Sequence, residues 1–131
     1  MNTKLTQILA EISAGELLDK ISILEIKKEK IKVKEKLDSV DKELSSLNAT
    51  SNEKIPDKSK INNLIDDLRK INLKLWYIEE SKREAEKNKI FDKKFIELSR
   101  DVYKSNDERA KIKSKINEIL GSNIKEVKSY Y

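Results

Sequence analysis

The stretch "ILEIKKEKIKVKEKLDSV", Ile23 to Val40, decides the fold, because two periodicities run through it at once. Ile23, Ile26, Val33, Leu37 and Val40 fall on a seven-residue apolar repeat that continues through Leu44 and Leu47, with Lys30 the one polar member of the seam. The segment "IKVK" inside it alternates with period two, the pattern of a half-buried strand. It spans too few residues to compete with the heptads on either side, so the stretch reads as helix throughout. Upstream, Ser13 to Glu16, "SAGE", has the form of a capping box, in which the Ser side chain bonds the third helical N–H and the Glu reaches back to the cap. One long helix is therefore predicted from about residue 14 to about residue 48.

Working outward, "NATSNEKIPD" from Asn48 to Asp57 collects small and polar residues with the only proline, and is the expected first turn. Ile61, Leu64, Leu68, Ile71, Leu75, Ile78 and Ala85 then form a second stripe, which predicts a helix over about residues 57–89. "NKIFDKKF" supplies a short break with Asp92 as cap. Phe95, Leu98, Val102, Ile112, Ile116 and Ile119 form a third stripe, predicting a helix over about 92–120 that Gly121 terminates. Leu17, Ile21, Leu24 and Ile31 add a second apolar face near the start of the first helix. The expectation is an all-α fold: an antiparallel three-helix bundle with a projecting coiled-coil hairpin of helix 1 and helix 2, residues 1–131 forming a single domain. The head, 1–13, and the tail, 121–131, are expected to be extended or irregular, although Leu5, Ile8, Leu9 and Ile12 follow helical spacing.

Composition supports helices and removes several chemistries. Two glycines and one proline in 131 residues are too few for a sheet protein that turns every ten residues or so. Charged residues make up 40 %, but the apolar 37 % is concentrated at regular spacing, which argues against disorder. The net charge of +5 is spread along the chain, and most of the 29 basic residues are Lys interleaved with acids, so no basic face for nucleic acid emerges. With no Cys and no His, thiol and imidazole chemistry and their metal sites are absent. The adjacent pairs Asp66–Asp67 and Glu79–Glu80 diverge by about 100° on a helix and cannot converge on a substrate. No enzyme activity, cofactor or metal is expected. No apolar stretch approaches a membrane span and the start makes a poor signal peptide, so the expectation is a cytoplasmic protein without membrane insertion.

The third stripe is interrupted by "YKSNDER", which puts Ser105 and Arg109 on the seam with Asn106 beside them, near Trp76. This polar layer reads either as an anionic-ligand or peptide site of Arg109, Asn106 and Trp76 with Glu79 or Glu80 orienting the Arg, or as a structural pair that sets helix register. A carboxylate is expected within hydrogen-bonding reach of Arg109. Glu79, Glu80 and Arg83 are expected at the height of Glu16 to Glu25. In the first helix, Glu16 and Asp19 suit the positive end of the helix dipole, while Lys20 and Glu25 are the members most readily assigned to binding.

The runs "SAGELLDKISILEIKKEKI", "LWYIEESKREAE" and "FIELSRDVYKSNDERAKIKSKINEILGS", with the closing "EVKSYY", resemble a family of short bacterial and phage-encoded proteins of unknown function, often found beside lipopolysaccharide or other surface-glycan biosynthesis genes. The resemblance covers nearly the whole chain except Asn48 to Lys60. Matching positions are Gly15, Glu16, Leu17, Asp19, Lys20, Ile23, Leu24 and Glu25, then Trp76 and Glu79, then Asn106, Arg109, Ile112, Lys113 and Asn117. Where the family more usually has Pro after the Ser, this chain has Ala14. The resemblance implies a setting in surface-glycan synthesis and no particular activity. The leading expectation is a non-enzymatic helical adaptor that docks a protein partner; the alternative is a small-ligand binder using Asn106, Arg109 and Glu79. The leftover apolar stripe of helix 1 also suits a homodimer.

Overall fold

A computed structural model describes residues 4–124 and 126–128, and among them every regular element is a helix. The order is α1 Ala14–Lys30, α2 Lys34–Lys54, α3 Asn62–Lys87 and α4 Lys93–Leu120. Three caps behave as their residue types dictate. The Ser13 hydroxyl accepts from the Glu16 N–H at 3.1 Å, the Asp92 carboxylate accepts from the Phe95 N–H at 3.1 Å, and Gly121 ends α4 in the left-handed region at φ 68°. The capping box at Ser13 is only half formed, because the Glu16 carboxylate turns instead to Lys113.

The long first helix of the sequence reading is two helices, so the described residues hold four helices and not three. Ile31 (φ −78°, ψ 136°) and Val33 (φ −75°, ψ 119°) are extended, and α2 folds back along α1. The ion pair between Lys28 Nζ and Asp41 Oδ1, 3.2 Å, shows the reversal directly. On one straight helix, residues thirteen apart would be separated by about 20 Å. The heptad seam is divided by the fold: Val40 and Leu44 of α2 share a core with Leu17, Leu18, Ile21 and Leu24, mostly the second apolar face of α1, while Val33 is exposed and Ile23 and Ile26 face α3. Breaking the helix forgoes a few backbone hydrogen bonds worth about 1 kcal/mol each. Each large apolar side chain buried by the reversal returns about 1.5–3 kcal/mol. The short "IKVK" alternation was the visible trace of this break.

Two further boundaries differ from expectation. Helix α2 runs through Asn48 to Lys54, and the turn is Ile55 to Ile61. Lys58 Nζ donates to carbonyls at the end of α2, Ile55 O at 2.7 Å and Ser51 O at 3.4 Å, the latter also accepting the Ile55 N–H, while buried Ile55 and Ile61 pin the turn to the core. The second helix starts at Asn62, later than the expected 57.

The projecting hairpin is also a different one. Helix α2 packs on α1 alone, whereas α1 and α4 both pack on α3. Beyond Ile78 in α3 and before Ser105 in α4 no side chain is buried, so residues 79–104 form a two-helix ribbon that extends past the core. The hairpin predicted from helix 1 and helix 2 is therefore replaced by α3 and α4, whose lengths of 26 and 28 residues exceed the 17 of α1. Replacing Leu44 with Ala is expected to cost about 2–5 kcal/mol in urea unfolding. A cost near zero would mean that α2 does not pack on α1.

Candidate functional site

Where α1 crosses α4, the backbones approach so closely that only glycine fits. A Cβ on Gly15 would lie 2.6 Å from Lys113 O and 3.0 Å from Asn117 Oδ1. The same approach lets the Gly15 N–H donate to Asn117 Oδ1 at 2.7 Å, giving one orphan donor of the first helical turn a buried partner.

One turn along α4, Lys113 is buried, its side chain 8 % exposed. Its ammonium lies 2.6 Å from Glu16 Oε2, 3.0 Å from Glu126 Oε2 and 3.8 Å from Asp19 Oδ2. Burial acts to lower the Lys113 pKa, but the hydrogen bonds to Glu16 and Glu126 and the charges of Glu16 and Asp19 outweigh it and leave the value raised. The hydrogen bond from Lys113 in turn holds Glu126 below its ordinary value, against the opposing effect of burial. Asp19, buried, accepts from Asn72 Nδ2 at 2.8 Å; that nitrogen also lies 3.3 Å from Ser22 Oγ. Asn72 Oδ1 accepts from Arg109 at 3.3 Å. A continuous polar chain thus runs from Glu126 through Lys113, Asp19 and Asn72 to Arg109, tying the C-terminal segment, α4, α1 and α3 together.

Arg109 opens onto a cleft of about 500 Å³ between α1, α3 and α4. Ile23, Ile26, Leu75 and Trp76 supply its apolar lining, with Glu79, Glu80, Arg83, Asn72 and Arg109 around them. The Trp76 indole N–H donates to Glu80 Oε1 at 2.7 Å, which leaves the ring half-buried against the cleft.

The structure brings together most of the candidate residues but divides them into two groups. Glu16, Asp19, Lys113 and Asn117 meet in the polar junction, while Trp76, Glu79, Arg83 and Arg109 line the cleft. Glu79, Glu80 and Arg83 face Ile23 and Ile26 and not the Glu16 end of α1, because α1 crosses α3 instead of running alongside it. The contacts show the crossing: Asn72 meets Asp19, Arg69 meets Glu25 and Glu29, and Tyr77 meets Lys30. Glu25 is thereby committed to Arg69 at 3.1 Å, and Lys20 is exposed. Asn106 is half-buried outside the cleft lining, and the fully buried Ser105 hydroxyl makes no hydrogen bond among the described residues.

The expected carboxylate partner of Arg109 is a correction. Its hydrogen bond goes to the Asn72 amide, and among the described residues no carboxylate lies within 4 Å of the guanidinium. Half exposure reduces the cost of leaving the charge without an acid. Sequence reasoning missed Asn72 and Glu126. Asn72 stands four residues from both Leu68 and Trp76, a polar residue at core spacing, so a signal existed. Glu126 lies in a segment with no periodicity to place it.

The described residues thus form an all-helical chain with a buried polar junction beside an open, mixed-charge cleft. The chain belongs to a family of unknown function, DUF6165, whose model matches residues 8–131. No curated protein and no solved structure matches it.

Gly15→Ala is expected to destabilise the protein by about 1–3 kcal/mol, since the α4 backbone must give way. Guanidinium unfolding measures this, and an unchanged midpoint would mean that α1 and α4 stand farther apart. The charges of the junction give a pH signature. Because the folded pKa of Glu126 lies below the ordinary 4.5, its contribution to stability is complete above that pH and lost as the pH falls through the folded value. Lys113, with a raised pKa, contributes at every pH below its ordinary 10.5 and only loses that contribution in strong base. The melting-temperature difference between the wild type and Glu126→Gln is therefore expected at neutral pH and is expected to shrink as the pH falls below 4.5. A difference that persists in acid would assign the effect to packing and not to the carboxylate.

Proposed function

We propose that this protein acts by binding and not by catalysis, as a helical adaptor whose cleft receives an apolar side chain or short segment of a protein partner. The observation that supports this reading is the lining of the cleft. Trp76, Ile23, Ile26 and Leu75 offer a concave apolar surface, and two acids and two arginines surround it. A ring of balanced charge does not select a strongly ionic ligand, whereas an aromatic centre with an arginine-containing polar rim is the arrangement that concentrates binding energy at protein interfaces. The cleft holds no His or Cys, and its two carboxylates, Glu79 and Glu80, are adjacent on α3 and diverge by about 100°. The surface-glycan setting implied by the resemblance makes enzymes of glycan assembly the first partners to try.

One observation favours a second reading. Arg109 has an amide and no carboxylate as its recorded partner, so its charge is available to an anionic group resting against Trp76. The two readings separate in one set of variants. Trp76→Ala is expected to weaken a purified partner complex by tenfold or more, measured by titration calorimetry, with the melting temperature nearly unchanged. Arg109→Gln is expected to have a smaller effect on that complex. If small organic acids or phosphates raise the melting temperature of the wild type and not of Arg109→Gln, the cleft is a ligand site. A partner complex indifferent to Trp76→Ala would remove the cleft from the interface.

A further inference from the structure

The far end of the α3–α4 ribbon, some distance from the cleft, carries three features that each work against the fold. The turn between the helices presents Ile90 and Phe91 at 50 % and 54 % exposure, and Ile96 in the first turn of α4 is 58 % exposed. Four lysines, Lys87, Lys89, Lys93 and Lys94, surround them, and the one acid among residues 87–94, Asp92, is occupied in capping Phe95.

Three of these lysines oppose local stability. Lys89 has φ 56°, the left-handed conformation in which glycine is favoured, and glycine does occupy the equivalent position after α4. The first turn of α4 contains Lys93 and Lys94 and no acid, so two cations stand at the positive end of a helix dipole. Apart from the exposed pair of Lys89 with Glu86 at 3.8 Å, folding stability accounts neither for these charges nor for the exposure of Ile90, Phe91 and Ile96.

The turn itself is well fixed. Ile90 N–H donates to Ala85 O at 2.9 Å and Lys89 N–H to Glu86 O at 3.1 Å, the paired bonds of a Schellman ending. Phe91 packs edge-on to Phe95 with centroids 5.3 Å apart, and Lys82 lies 6.0 Å from the Phe95 ring. The apex of Phe91, Lys87, Lys89 and Lys93 stands outside the groove of about 540 Å³ that Ile90, Phe95, Glu80, Glu84 and Lys94 line between the helices. This apex matches the layered chemistry of an anionic bilayer surface, where apolar rings enter the interfacial zone and lysine stems lie along it with their ammonium groups at the headgroups.

We propose that the tip of the α3–α4 hairpin is a contact site for anionic lipid bilayers, touching the surface from one side. Among the described residues no helix is long and apolar enough to cross a membrane, and the proposal requires none. It does not rest on the cleft, whose residues the variants below leave untouched.

The experiment is flotation of the full chain with vesicles of phosphatidylcholine, alone or containing one third phosphatidylglycerol. Binding is expected to the anionic vesicles only and to fall as salt is raised. Phe91→Ser is expected to lower it about tenfold. Each lysine near such a surface strengthens binding by about fivefold, so Lys93→Glu/Lys94→Glu is expected to abolish it. That double variant places acids at the start of α4 and is expected to melt no lower than the wild type, which separates lost binding from lost fold. Absence of binding to the anionic vesicles, or binding that survives both variants, overturns the proposal. So does a dimer by light scattering that Phe91→Ser converts to monomer, since the apex would then be covered by a second copy.

Discussion

The Lys113 side chain is largely buried, and a buried cation without partners is too costly to persist, so the surroundings must answer its charge. They do so from three separate segments: Glu16 and Asp19 at the head of α1, and Glu126 beyond the end of α4. Because Lys113 lies on α4, satisfying it fixes where α1 crosses that helix. Gly15 makes the crossing sterically possible, since any side chain there would run into the α4 backbone. The second oxygen of Asp19 then takes Asn72, which brings α3 to the same point. Position, charge and backbone approach are thus one constraint, and apolar contacts fill in around it.

That constraint carries through to the surface. Asn72 accepts from Arg109, so the arginine at the edge of the cleft is oriented by the buried network behind it. Because α1 crosses α3, Ile23 and Ile26 stand opposite Leu75 and Trp76 and the cleft opens at the point where α1 leaves the ribbon. Past it, α3 and α4 have only each other. From Arg83, the last α3 residue of the cleft lining, α3 runs about 6 Å further to Lys87. A stiff base and an extended arm give the molecule two separated surfaces, one concave and of balanced charge, the other convex and basic.

Much of this was legible in the residues, though unevenly. Ser13, Asp92 and Gly121 are read as caps because cap chemistry is local, and they serve as caps. Arg109, Asn106 and Trp76 were grouped with Glu79 or Glu80 from the interruption of the third stripe, and all but Asn106 line one cleft. Lys113 and Asn117 stood out only through a family resemblance, because a Lys and an Asn inside a charged helix give no sign of burial. Asn72 was passed over although its spacing from Leu68 put it on the core face. Glu126 had no readable position at all, because its partner is set by where the chain returns after α4.

By itself the sequence determined that the chain is helical, where most caps fall, and which faces are apolar, since these follow from propensity, capping chemistry and a period of about 3.6 residues, all local. Tertiary structure alone decided that the first apolar stripe folds back on itself at Ile31 to Val33. A heptad seam is equally well buried by a second helix or by its own continuation reversed, so the pattern is the same in both. It also decided that α3 and α4 form the arm, and that Lys113 is answered from three segments. Those outcomes depend on which distant surfaces can be buried together and which charges must then be neutralised, and such energies exist only once the chain has closed on itself.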